Sequence, residues 1–140
     1  MIEFDSLTDF ELQEQERLRA WIKDVIIREG YELGELLFVF CEDTYLHKIN
    51  LEFLKHDTLT DVITFDYNMG KQVNSEIFIS VERVEENASD FRVSFEQELH
   101  RVMIHGILHL CGYKDESAQE EKTIRAKEDE ALQQLQKQFD

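Results

Sequence analysis

The chain has 140 residues, of which 42% are hydrophobic and 33% charged, with two cysteines and no proline. Its length suits one domain, residues 1–140, with no disulfide framework and no apolar run near the roughly 18 residues that cross a membrane. A net charge of -16 argues against gripping nucleic acid through a broad basic footprint, and clusters such as Glu11 to Glu16 and Glu116 to Glu121 read as solvated helix faces.

The opening MIEFDSLTDFELQ has no basic region followed by an apolar stretch, so no secretory signal and a cytoplasmic location are expected. Ile2 to Phe4 suits a short first strand. Thr8 or Asp9 is placed to cap a helix whose apolar residues Leu18, Trp21, Ile22, Val25 and Ile26 recur at helical spacing, and Gly30 ends it. Glu35 to Cys41 (ELLFVFC) is a nearly continuous apolar run that fits a strand covered on both faces. Asp43 is placed to cap a second helix with Leu46, Ile49, Asn50 and Phe53 on one side, followed by a polar loop from Lys55 to Thr60.

Asp61 to Tyr67 and Ser75 to Val81 read as two strands joined through a loop with Asn68, Gly70 and Asn74, a hairpin pattern. A short helix over Val81 to Ser89 follows. Ser94 with Gln97, and Ser117 with Glu120, are capping boxes for two more helices, the last carrying Ile124, Ala131, Leu132, Leu135 and Phe139 along one stripe. The alternation predicts an α/β (α+β) domain with a single mixed four-stranded sheet, three parallel strands and a last strand antiparallel through the hairpin, surrounded by about five helices.

The chemistry concentrates in HGILHLCGYKD, His105 to Asp115. Residues i and i+4 share a helix face, so His105 and His109 can aim ring nitrogens at one point, on the flank of a buried stripe that includes Phe95, Leu99, Val102, Met103, Gly106 and Leu110. Gly112 can take the positive φ that ends a helix and returns the chain, so that Asp115, or Glu116 beside it, comes back as a third ligand. The spacing after Gly112 favours Asp115, by analogy with HExxHxxGxxH zinc hydrolases. Three such ligands leave a zinc ion an open position. Cys111, two residues past His109, points away and reads as packing, like Cys41, while His47, His56 and His100 taken singly read as core or boundary residues. Those hydrolases carry a glutamate general base after the first histidine; Gly106 stands here, which argues against that peptidase mechanism and permits a strand to pack close to the helix.

These residues resemble the YbeY family of bacterial endoribonucleases and ribosomal RNA maturation factors. His105, Gly106, Leu108, His109, Leu110, Gly112 and Tyr113 match its HGxLHLxGY signature; Asn50 to Phe65 (NLEFLKHDTLTDVITF), Glu76 to Ser80 (EIFIS) and the pair Lys127 and Glu128 resemble further family segments. The resemblance covers most of the chain from Asn50 onward. It implies one α/β domain, a zinc ion at the end of the histidine helix, and hydrolysis of single-stranded RNA in maturation of the 16S ribosomal RNA 3′ end and in ribosome quality control. RNA and small-subunit ribosomal proteins are the implied partners, with neither DNA nor membrane expected. Four positions depart from the family pattern. Asp115 stands in place of a third histidine, Leu54 in place of an arginine, and Leu59 and Asp66 in place of prolines. Lys55 and His56 are the nearest substitutes for the missing cation, and are the expected catalytic residues beside a metal set of His105, His109 and Asp115. Two other readings use the same residues: a ribosome assembly factor with a structural metal, and a 2-His-1-carboxylate iron oxygenase.

Overall fold

The computed structural model describes residues 1–54 and 60–138. Four strands, β1 (Ile2–Ser6), β2 (Glu32–Cys41), β3 (Val62–Asp66) and β4 (Gln72–Ser80), make one mixed sheet in the order β1-β2-β4-β3. Strands β1, β2 and β4 are parallel, and β3 pairs antiparallel with β4. The mixed four-stranded sheet is as expected, but the antiparallel member is the third strand, not the last. The hairpin returns β4 to the sheet interior beside β2, where its buried Val73, Ser75, Ile77 and Ile79 are covered, and leaves the five-residue β3 at the edge.

The helices are α1 (Gln15–Arg28), α2 (Asp43–Ile49), α3 (Val81–Phe91), α4 (Phe95–Leu110) and α5 (Ala118–Gln138), with a π-helical turn, Asn50–Leu54, continuing α2. One face of the sheet, with Phe38, Phe40, Ile77 and Ile79, meets Leu18, Trp21 and Ile22 of α1 and Leu99 and Met103 of α4, all buried. Each such side chain contributes about 1.5–3 kcal/mol through removal from water. The Trp21 indole N–H donates to the Ala131 carbonyl at 2.8 Å, tying α1 to α5. The other face holds a smaller cluster of Cys41, Leu46, Ile49 and Ile63 under α2.

Several boundaries differ from the sequence expectation. Helix α1 begins at Gln15, after Glu14 in the left-handed region (φ 57°), because Thr8 caps a local turn instead: its hydroxyl accepts from the Phe10 N–H at 3.0 Å. Gly30 does end α1. It has φ +84°, its N–H reaches the Ile27 carbonyl, and the Tyr31 N–H reaches the Ile26 carbonyl, the pair of bonds that closes a Schellman turn. Strand β2 starts three residues early, with a bulge between Leu33 and Leu36. Asp43 is the first helical residue of α2 and caps nothing; its carboxylate takes the Ser80 hydroxyl at 3.0 Å and Arg83 at 2.7 Å, joining the start of α2 to the start of α3. Phe53, expected on the buried side, is 65% exposed because the π turn rotates it outward from the α2 stripe. Both capping boxes form as expected.

The β3–β4 hairpin also closes one end of α4. The Asn68 side-chain amide donates to the Leu110 carbonyl at 2.9 Å while its oxygen accepts from the Asn74 N–H, and the Asn74 side-chain oxygen accepts from the Glu35 N–H. In the C-terminal part of α4, Gly106 lies against the sheet: an added Cβ would stand 3.1 Å from Thr64 Cγ2 and 3.6 Å from Ile77 Cγ2. Gly106→Val should therefore lower the unfolding free energy by about 1–3 kcal/mol through overpacking, read from urea denaturation; a variant as stable as the parent would show that the sheet yields. Burial, reinforced by nearby carboxylates, pushes the Cys41 and Cys111 thiols up to about 12. Neither thiol should react with a disulfide reagent at pH 8 in the native state, and both should titrate in guanidinium; prompt labelling of the folded protein would contradict this burial.

Candidate metal centre

Helix α4 presents its two histidines over its last two turns. Ser94 and Gln97 fix its start reciprocally, and the helix stops where Gly112 takes φ +98°. The Gly112 N–H bonds the His109 carbonyl and the Tyr113 N–H bonds the Leu108 carbonyl, a second Schellman turn. That reversal carries Asp115 back over the two imidazoles, whose ring centres are 4.5 Å apart.

The geometry of the three groups is specific. Asp115 Oδ2 lies 3.3 Å from His105 Nε2 and 3.2 Å from His109 Nε2. On the far side of each ring, Nδ1 is held by an acceptor: Glu128 Oε2 at 2.6 Å for His105, and the Tyr113 carbonyl at 2.9 Å for His109. A carbonyl only accepts, so His109 carries its proton on Nδ1 and turns an Nε2 lone pair toward Asp115; the Glu128 carboxylate favours the same tautomer in His105. In the neutral rings, two nitrogen lone pairs and a carboxylate oxygen then converge on one point, a position suited to a proton or a metal cation. The chemistry of the donor set therefore fits a divalent metal, and outer acceptors on both Nδ1 atoms are the usual companions of metal-binding imidazoles. Among the described residues this is the one set of three His, Cys, Asp or Glu groups with donor atoms all within 4.8 Å of one another.

The supports come from outside α4. Glu128 is 4% exposed, on the buried stripe of α5, and also accepts from Arg101 at 2.9 Å; Arg101 in turn reaches Asp129 at 2.7 Å. Burial works to raise the Glu128 pKa, but the hydrogen bonds and charges of His105 and Arg101 outweigh it and hold the carboxyl below its ordinary value. For His105 the balance is similar: burial pulls its pKa down, yet the Glu128 hydrogen bond and the charges of Glu128, Asp115 and Asp61 leave it raised. The turn itself is tied down by Tyr113, whose hydroxyl donates to Glu29 at 2.7 Å at the end of α1, and Glu29 also pairs with Lys127 at 3.4 Å.

The structure thus brings His105, His109 and Asp115 together and leaves Glu116 exposed outside the cluster. Cys111 is buried in the core and takes no part. Lys55 and His56, expected to act beside the metal, lie outside the described residues. His100 packs edge-on against Trp21, a core contact as its lone occurrence suggested. Sequence reasoning missed the load carried by Glu128, Arg101 and Glu29. A signal for Glu128 was present: a carboxylate interrupts the apolar stripe of α5 between Ile124 and Ala131.

His105 and Asp115 line a cleft of about 660 Å³ between α3, α4 and α5. Asp61, just before β3, also lines it and accepts from the Asn87 side-chain amide at 3.2 Å; burial raises its carboxyl pKa against the opposing charge of His105. A second cleft of about 900 Å³ adjoins it, sharing Phe91, Glu98, Arg101 and Arg125.

The chain resembles proteins already characterised by sequence and by structure. A family model described as endoribonuclease YbeY matches residues 4–136. Relatives carrying that name include one from Flavobacterium johnsoniae, 53% identical over 94% of this chain and 95% of its own length, and one from Christiangramia forsetii, 49% identical over 94% and 92%. The solution structure of a Thermotoga maritima protein superposes with a TM-score of 0.68 at 28% identity, covering 96% of this chain and 89% of the other. With the family model matched over nearly all of its length, the chain belongs to the YbeY family.

Proposed function

We propose that this protein is a metal-dependent endoribonuclease that cleaves single-stranded RNA, with a zinc or similar divalent ion held by Nε2 of His105, Nε2 of His109 and the Asp115 carboxylate. The observation that carries the proposal is the convergence of these three donors at the edge of a cleft, in a chain whose relatives are named endoribonucleases. When bound, such an ion supplies Lewis acidity toward water and toward a phosphoryl oxygen. The protein's own part is positional and electrostatic. Glu128 and the Tyr113 carbonyl hold the Nδ1 protons, which keeps both Nε2 atoms free for the ion. Asp115 brings a negative charge where a histidine would be neutral, which tempers the Lewis acidity of the site.

Lys55 and His56, adjoining Leu54, are assigned the positive charge that the family draws from arginine, stabilising the charge that develops on a phosphoryl group. The cellular role proposed is maturation of the 16S ribosomal RNA 3′ end and ribosome quality control in the cytoplasm, in company with small-subunit ribosomal proteins.

Elemental analysis of the purified protein should find about one divalent transition metal per chain, and a chelator should abolish cleavage of a single-stranded RNA. His105→Ala should lose both metal and cleavage; retention of both by that variant would overturn the proposal. Glu128→Ala should weaken metal affinity by about 10–100-fold in competition with a chelating dye, because the outer acceptor on His105 is gone; an unchanged affinity would remove Glu128 from the site.

A further inference from the structure

Glu98 stands two turns before His105 on the same side of α4. It is only 5% exposed, lines both clefts, and its carboxylate makes no hydrogen bond or ion pair among the described residues. The cations nearest in sequence and space are engaged elsewhere: Arg101 by Glu128 and Asp129, and Arg125 toward Glu128 at 3.6 Å. Asp61, across the cleft, is occupied by Asn87. Burial, and then the charge of Asp61, raise the Glu98 pKa. With no protein donor, the carboxyl oxygens face the cleft and are met by solvent, so a ligand that supplies N–H groups takes the place of that water.

The surroundings restrict what that ligand is. A phosphate set against Glu98 itself would place oxygen against oxygen, while the arginines on the same cleft, Arg101 and Arg125, already face Glu128 and Asp129. A second metal ion lacks a cage, since no other three donors converge among the described residues. A nucleobase fits: it is flat, uncharged and rich in N–H donors, the cleft of about 660 Å³ is of ligand size, and Phe91, 56% exposed, offers an aromatic face on the same cleft. Among the RNA bases, guanine alone presents two N–H donors side by side, at N1 and N2, matching the two oxygens of a carboxylate. Adenine and cytosine place an acceptor nitrogen beside their amine, and uracil flanks its one N–H with carbonyls, so each would set an acceptor against a carboxylate lone pair.

We propose that the cleft beside the metal centre is a guanine-reading subsite, in which the Glu98 carboxylate accepts from N1–H and N2–H while the ring lies against Phe91. The assignment rests on the RNA-cleaving reading above and gives it a base preference next to the scissile bond.

Titration of the full chain, with metal content measured, by 5′-GMP, IMP, AMP, CMP and UMP, followed by NMR, tests this directly; the phosphate is common to all five, so its contribution cancels in the comparison. GMP should bind about tenfold or more tighter than AMP, CMP or UMP, and IMP, which lacks the N2 amine, should fall between. Glu98→Gln, checked for folding by circular dichroism, should lose that preference, whereas Phe91→Ala, at an exposed position, should weaken all the nucleotides about tenfold together. Equal binding of the nucleotides by the parent chain, or an undiminished GMP preference in folded Glu98→Gln, would overturn the subsite. RNA cleavage without guanine selectivity in binding removes the subsite and leaves the nuclease; selective GMP binding in a protein that cleaves no RNA keeps the subsite and removes the nuclease.

Discussion

The hydrogen bond between His105 Nδ1 and Glu128 is the interaction on which the site depends. At 2.6 Å, with one partner 4% exposed, it joins the last turns of α4 to the middle of α5 across the core. A carboxylate is rarely placed in such a position unless cations hold it, and here both His105 and Arg101 do. The cost of burying Glu128 is offset only when the two helices sit at one separation and one rotation. The bond therefore sets helix packing and imidazole orientation together. Arg101 extends the same restraint to Asp129 at the surface, and Lys127, the neighbour of Glu128, reaches Glu29 on α1, so adjacent residues of α5 serve the two histidines by separate routes.

Much of this was legible in the chain. The i, i+4 histidines, Gly112 and Asp115 carry their geometry in local rules: one helical face, one left-handed residue and a short return. Both capping boxes are equally local, a hydroxyl and an amide or carboxyl three residues apart. Gly106 was readable as a close-approach position because a missing side chain in an otherwise apolar stripe asks for a neighbour, and Thr64 and Ile77 supply it.

What was not legible depends on partners distant in sequence. Thr8 looks like a helix cap, but a hydroxyl can serve a two-residue turn as readily as a helix, and tertiary placement of Phe10 against Phe40 and Phe95 decides between them. Asp43 reads as a cap for the same reason, yet Arg83, forty residues on, claims its carboxylate. The sheet order is likewise nonlocal. Hairpin signals say that β3 and β4 pair, and say nothing about which of them lies beside β2. Glu128 is the most instructive case, since its meaning exists only in relation to a histidine 23 residues earlier.

The Asn68 side chain, bridging the hairpin to the end of α4, ties the geometry of the candidate site to the sheet. Its amide holds the Leu110 carbonyl, one residue past His109, while its oxygen and then Asn74 continue the line of bonds into β2. A helix end left to water frays; this one is moored through side-chain amides to the hairpin loop and, beyond it, to β4 and β2. The turn that carries the donor set is thereby bonded through side chains to the hairpin and to the bulge of β2. The site behaves mechanically as part of the sheet, even though none of its three donors resides on a strand.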